Sequence, residues 1–349
     1  MKRLTGFICV FVMGCLCCMA QSRLPFAKGA DISWITQIEH TAKYQLVDEQ
    51  GQPIDGFQMM RDCGMNMVRL RVWVHPRPDR RDGVTWCDTH DVVVKAVRAK
   101  KAGLRLMLDF HYSNWWADPG QQHVPEEWKD CNIDQLCDSV EAHTTEVLLA
   151  LRDAGVTPTW IQVGNETPTG FMKPLGDATE HPENFARLFQ RGEQTCKRIC
   201  PEAVTMVHID NGFMMERTEF ILDILQKYDV HYDMLGWSLY PAMNWLAEPP
   251  VIDLNWQVKA DQCIANVEKI YQKYGKEAMI VEIGIPNDHE VLCAEVISYM
   301  ISHAPDHLRG LVYWEPITTP DFGYKMGALK PCSDRQFMAN DGMKAFGKN

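Results

Sequence analysis

The 349-residue chain carries 35 Lys and Arg against 46 Asp and Glu, a formal net charge of −11. Its 46% hydrophobic and 23% charged residues are a globular balance, which excludes a disordered chain. The acidic balance speaks against a nucleic-acid partner, which needs a Lys/Arg surface to neutralise phosphates, and it leaves a neutral substrate open.

Lys2 and Arg3 precede an apolar run from Leu4 to Val12, and small residues and cysteines follow up to Ala20. This is the pattern of an export signal over residues 1–20. The run is too short for a membrane span, which takes about 20 apolar residues. Two processing routes stay open. Cleavage after Ala20 releases a soluble chain beginning at Gln21. Alternatively, Val12-Met13-Gly14-Cys15 resembles a bacterial lipobox, and Cys15 then carries a lipid. Either way the protein is expected outside the cytoplasm, as a secreted, periplasmic or lipid-anchored cell-surface monomer. Four of the 13 cysteines lie in this leader, and the other nine form no CxxC pair. They read as buried small hydrophobes rather than a zinc cluster, with room for one or two bridges in an exported chain.

Eight apolar, β-rich runs follow: 29–33, 67–74, 104–111, 160–165, 205–210, 234–240, 278–283 and 310–315. Most are continuous rather than alternating, as strands buried on both faces are. Their ends lie about 40 residues apart, enough for a strand, a helix and loops. Helices are predicted at 91–101, with Val93, Val94 and Val97 on one face, and at 134–154, 183–199, 219–228, 256–274, 290–303 and 333–346. Pro182 suits a first helical turn. Strand–helix units in this number argue for a single (β/α)8 TIM barrel over residues 21–349. The alternative, an open doubly wound sheet, would want a glycine-rich phosphate turn after the first strand, and Gly29-Ala30-Asp31-Ile32-Ser33 is not one.

In such a barrel the active site lies at the C-terminal strand ends. Those ends carry Asp31, Arg69 and Arg71, Asp109 and His111, Asn165 and Glu166, His208 and Asp210, Tyr240, Glu282, and Trp314 with Glu315. One glutamate at a strand end is as readily a salt-bridge partner as a reactive group. Two, from the fourth and seventh strands, are the machinery of glycoside hydrolysis. Asp109-x-His111 and His208-x-Asp210 are also spaced as metal ligands on one strand face, though hydrogen bonding to sugar or to the catalytic pair is the more economical use. The sequon at Asn165-Glu166-Thr167 would lie inside the pocket and is discounted.

The motifs extend this match. Gly164-Asn165-Glu166 and Val281-Glu282 resemble the clan A glycoside hydrolases. Arg69-Leu70-Arg71-Val72-Trp73-Val74, Asp109-Phe110-His111-Tyr112-Ser113, Trp116-Ala117-Asp118-Pro119, His208-Ile209-Asp210-Asn211-Gly212, Ser238-Leu239-Tyr240-Pro241 and Tyr313-Trp314-Glu315-Pro316 resemble family 53, the endo-β-1,4-galactanases. The resemblance runs from about Gly29 to the chain end. It implies a retaining enzyme acting on a polysaccharide, the β-1,4-galactan of pectin, with Glu166 as acid/base and Glu282 as nucleophile. It further implies sugar binding by His111, Trp116, Asp118, Asn165, His208, Asp210 and Trp314. Arg71 and Tyr240 are expected to keep Glu282 ionised, and Arg69 to neutralise a barrel carboxylate. The other tryptophans, Trp34, Trp73, Trp86, Trp115, Trp245 and Trp256, are read as packing. Some bacterial relatives bind calcium between the loops after strands 7 and 8. Here Pro286-Asn287-Asp288-His289 is short, so no cofactor is required, and a structural calcium stays an alternative. A clan A enzyme for another β-glycan such as mannan, or a non-catalytic glycan-binding barrel, are the competing functions.

Overall fold

The computed structural model describes residues 24–42, 44–80, 82–245, 247 and 249–348. The predicted export signal and its lipobox lie outside them. Eight parallel strands close into a barrel: β1 (Ala27–Asp31), β2 (Met67–Val72), β3 (Arg105–Phe110), β4 (Trp160–Val163), β5 (Val204–Ile209), β6 (Met234–Leu239), β7 (Glu277–Ile283) and β8 (Leu308–Trp314). Each pairs with its sequence neighbours, and β1 closes on β8 with Ala30 opposite Tyr313.

Helices surround it: α1 (Ile35–Thr41), α2 (Gly56–Asp62), α3 (Thr89–Lys101), α4 (Ile133–Asp153), α5 (Pro182–Ile199), α6 (Met215–Lys227), α7 (Trp256–Tyr274) and α8 (Glu290–Ser302). Local chemistry sets their ends. Asn132 and Gln135 form a reciprocal capping box at the start of α4. Pro182 opens α5, and Gly275 at φ +67 closes α7. None of the described helices is long and apolar enough to cross a membrane.

Three predictions need correction. In α3 the buried face is Val92, Ala96 and Ala99. Val93 and Val97 only flank the core, and Val94 is 41% exposed. The helix is turned by Lys95, whose fully buried ammonium reaches Asp91 Oδ2 and Ser33 O, both at 2.7 Å. The helix predicted at 219–228 starts four residues earlier, at Met215. The last predicted helix, at 333–346, is instead a hairpin, Leu329–Ser333 paired with Gln336–Ala339, which also takes Gln45–Leu46 as an edge strand. Phe337 packs edge-on against Tyr44 at 5.1 Å. That tertiary pairing outweighs local preference, and only Asp341–Lys344 remains α-helical. All nine cysteines outside the leader are free, so no bridge forms among them.

The barrel interior is layered. Its floor is Ala27, Met67, Met107, Trp160, Met206, Met234, Met279, Val281 and Val312, an apolar plug rich in methionine, which fills irregular space. Two residues further along β2, β3, β4 and β5 the interior turns polar, with Arg69, Asp109, Gln162 and His208, because side chains alternate across a strand. One strand breaks the alternation. Met279 and Val281 point inward, so Glu282 should point out. A register shift against β6 falls between Ile280 and Glu282. This bulge turns Glu282 inward after Val281, as bulges beside active sites do.

Candidate active site

A cavity of about 610 Å³ opens at the C-terminal strand ends. Glu166 and Glu282 both line it, with Asn165, Asp210, Tyr240 and Trp314 among the other walls. At the end of β4, Gly164 takes φ +87, where a Cβ would meet Thr167 Cγ2 at 2.9 Å. Glu166 itself sits at φ +42, a conformation that costs a non-glycine residue on the order of 1–3 kcal/mol. The sharp turn lets Asn165 and Glu166 both leave the strand toward the cavity.

Arg69 is the hub beneath. It is fully buried and reaches Asp31 at 3.0 Å, Asp109 at 2.9 Å and Glu282 at 2.9 Å. It also donates to Gln162 at 2.6 Å and to Asn165 Oδ1 at 2.7 Å. The expected pairing of Arg71 with Glu282 is therefore corrected: Arg69 makes it. Arg71 instead donates to Glu315 at 2.6 Å and lies beneath the rings of Trp116, Trp34 and Trp73, at 4.4, 5.0 and 5.4 Å from their centroids. It is fully buried, so it supports the aromatic wall rather than touching the cavity. Tyr240 behaves as expected, donating its hydroxyl to Glu282 Oε2 at 3.1 Å.

Two buried guanidiniums lie among five carboxyls here, Asp31, Asp109, Glu166, Glu282 and Glu315, and pair with all but Glu166. The surplus is resolved by protonation where pairing is poorest. Burial pushes Glu166 well up, and the charge of Glu282 adds to it. Burial also raises Glu282, to about 7, but Arg69 and the Tyr240 hydrogen bond oppose it. Of the pair, Glu166 holds its proton more strongly, because among the described residues no cation pairs with it, whereas Arg69 pairs with Glu282. Burial would raise Asp109 too, yet Arg69 and His111 outweigh it and hold the group below its ordinary value. Burial lifts Glu315 to about 8 against the pull of Arg71.

The remaining residues divide in two. Trp116, Asp118, Asp210 and Trp314 line the cavity. Asp210 is raised by burial and opposed by Arg217 at 3.0 Å. The two histidines are differently placed. His111 Nδ1 accepts from Ala117 N–H at 3.0 Å, so Nε2 carries the proton and donates to Asp109 at 3.0 Å. Its ring forms part of the wall with both nitrogens occupied. His208 is fully buried outside the lining, with Nδ1 3.0 Å from Asn165 Oδ1 and Nε2 2.9 Å from Ser238 Oγ. Burial and Arg69 push its pKa well down, so it is neutral. Against the expected sugar contact, it sits under the Asn165–Glu166 turn, where its Nδ1 accepts from Glu166 N–H at 3.2 Å, while the Asn165 amide nitrogen donates to Ala117 O at 2.7 Å. Sequence reading missed Tyr324 and Met326, from the loop after β8, and took Trp245 for packing, although all three line the cavity. It also took Trp34 for packing, although Trp34 contacts both Trp116 and Trp314, at 5.6 and 5.3 Å. The position of Trp34 just past β1 was a usable signal; nothing local marks Tyr324. No group of three or more His, Cys, Asp or Glu among the described residues is arranged to hold a metal ion. Asp109 and His111 are spent on each other and on Arg69.

The sequence profile of glycosyl hydrolase family 53 matches residues 27–292. The chain belongs to this family. An uncharacterised protein of Niallia circulans is 31% identical over 75% of this chain and 68% of its own length. An endo-β-1,4-galactanase of Bacillus subtilis is 28% identical over 74% of this chain, which spans only 56% of that relative. An arabinogalactan endo-β-1,4-galactanase of Thermothelomyces thermophilus is 28% identical over 83% and 89% of the two chains. A solved fungal β-1,4-galactanase superposes with a TM-score of 0.78 at 24% identity, covering 93% of this chain and all of the other. At that identity the likeness speaks for the barrel alone.

Proposed function

We propose that this family 53 glycoside hydrolase is an exported, retaining endo-β-1,4-galactanase. The observation that carries the reading is the unequal setting of two carboxylates in one cavity. Glu282 is held by Arg69 and Tyr240, which favours the ionised form and suits a nucleophile. Glu166 pairs with no cation among the described residues, and burial and the charge of Glu282 favour its protonated form, which suits a general acid. Glu166 protonates the glycosidic oxygen as Glu282 attacks the anomeric carbon. The bond to the leaving sugar breaks, and a glycosyl ester forms on Glu282. Esterification removes the charge that raises Glu166, whose pKa then falls, and Glu166 becomes the base that activates water. Asn165, whose Oδ1 accepts from Arg69, binds the sugar 2-hydroxyl in this reading, and Trp314 carries the ring face. The galactan specificity is supported by the named Bacillus and Thermothelomyces relatives, and export by the leader pattern at residues 1–20.

Proton NMR of the first products from β-1,4-galactan tests both parts. Two inversions restore the starting configuration, so the β-anomer should appear before mutarotation, among several oligosaccharides. Initial α-product would sink the double displacement. Early release of galactose alone would sink the endo assignment.

A further inference from the structure

Two further grooves flank the carboxylate cavity, and they meet at one wall. The first, about 850 Å³, runs between Trp34 and Phe322 on one side and the hairpin residues Arg335 and Phe337 on the other. The second, about 650 Å³, lies between the loop after β2, with Arg77 and Trp86, and the loop after β3, with His123. Both are of a size that holds small ligands, about 300–1,000 Å³. Trp116 lines all three spaces, whereas Gln37 and Trp115 are common to the two grooves alone. The second groove therefore opens from the flank of the first, at Trp115, more than from the carboxylates.

Ring contacts connect the cavity to the first groove. Trp314 meets Trp34 at 5.3 Å between centroids, and Trp34 meets Phe322 at 5.4 Å. Such a track offers apolar faces to successive sugars. The second groove has its own aromatic wall in Trp73 and Trp86. At the junction Trp115 is 55% exposed and leans on Trp73 at 4.7 Å. A linear glycan leaving the carboxylates fills one path. A path that forks one step out fits a glycan that carries a side chain. Among the described residues that line the second groove, Arg77 and Arg80 balance Asp79 and Glu126, which suits a neutral sugar over an acidic one.

We infer that the second groove is a binding site for a short neutral sugar branch on the galactan, with the main chain lying along Trp314, Trp34 and Phe322. The inference rests on the galactanase reading and adds a preference for branched substrate. Two β-1,4-galacto-oligosaccharides of equal length, one linear and one with a single arabinofuranosyl branch, provide the test. The wild-type protein should cleave the branched compound with a kcat/KM at least equal to that of the linear one. Trp86→Ala should lower kcat/KM about tenfold on the branched compound and less than twofold on the linear one, the size of a lost ring contact. The double variant Arg77→Ala/His123→Ala alters only exposed side chains, and so spares folding; it should discriminate in the same direction. Poor wild-type cleavage of the branched compound, or equal losses on both, would overturn the branch site. Should the wild type cut neither compound, the galactanase reading fails. Calorimetric binding of the two compounds to wild type and Trp86→Ala then decides the groove: tighter wild-type binding of the branched compound, lost in the variant, supports it, and indifference overturns it.

Discussion

Replacing Tyr240 by Phe isolates one of the two contacts that keep Glu282 ionised. The hydroxyl donates to Oε2 at 3.1 Å, while Arg69 Nη1 holds Oε1 at 2.9 Å. A hydrogen bond to a charged group contributes about 1.5–3 kcal/mol, and one pH unit corresponds to about 1.36 kcal/mol. With Arg69 still in place the lower end applies, so the Glu282 pKa should rise by about one unit. The sign follows from the state stabilised: the lost bond favoured the carboxylate, so its loss favours the acid. Activity needs Glu282 ionised and Glu166 protonated. The acid limb of kcat/KM should therefore move up by about one unit while the basic limb, set by Glu166, stays near its place. The bell narrows, and its maximum falls less than about threefold. The ring, packed edge-on against Trp245 at 6.0 Å, is retained, so thermal melting serves as a control for the fold. A pH profile measured on galactan decides the matter. Reduced activity with an unmoved acid limb would refute the role of Tyr240 in setting Glu282.

Three other outcomes follow from the same coordinates. Glu166→Ala should slow natural galactan far more than an aryl galactoside with a good leaving group, since only the former needs a proton, and azide should partly restore the second step; equal losses without rescue would remove Glu166 from the acid role. Lys95→Met strips Asp91 of its buried cation, leaving Thr36 Oγ1 at 2.6 Å and Cys87 N–H at 2.7 Å as partners. Denaturant unfolding should show a loss of about 3–5 kcal/mol, and a loss below about 1 kcal/mol would contradict that account. Glu315 has its pKa raised by burial from 4.5 to about 8. An acid raised in the fold stabilises below its unfolded pKa and loses that contribution as pH climbs through the folded one. Melting temperature should fall between about pH 4.5 and 8, and Glu315→Gln should flatten the fall; an unchanged slope would place the titration elsewhere.

Much of the site was readable because its chemistry follows the strand ends. Apolar runs marked all eight barrel strands within about two residues, and several polar residues at their ends, Asn165, Asp210, Tyr240 and Glu282 among them, line the barrel mouth. Arg69 and Arg71 show where that reading stops. They are two residues apart on β2 and point the same way, so nothing local distinguishes them. Neighbouring strands decide: Glu282 on β7 comes within reach of the deeper guanidinium, and Glu315 beyond β8 within reach of the upper one. The histidines repeat the lesson. His111 and His208 end inward-facing runs, yet both spend their ring nitrogens on neighbours.

What the chain determines alone is the alternation of buried strand and amphipathic helix, the caps and turns that end them, and which strand ends carry carboxylates. These depend on residues a few positions apart. What the tertiary structure decided depends on contacts between distant segments. The bulge in β7 reverses the inward–outward alternation that would have turned Glu282 away. The hairpin at 329–339 pairs with residues 45–46 in place of a helix. The proton balance among five carboxyls is set by which of them two buried arginines can reach, and no local pattern encodes that reach.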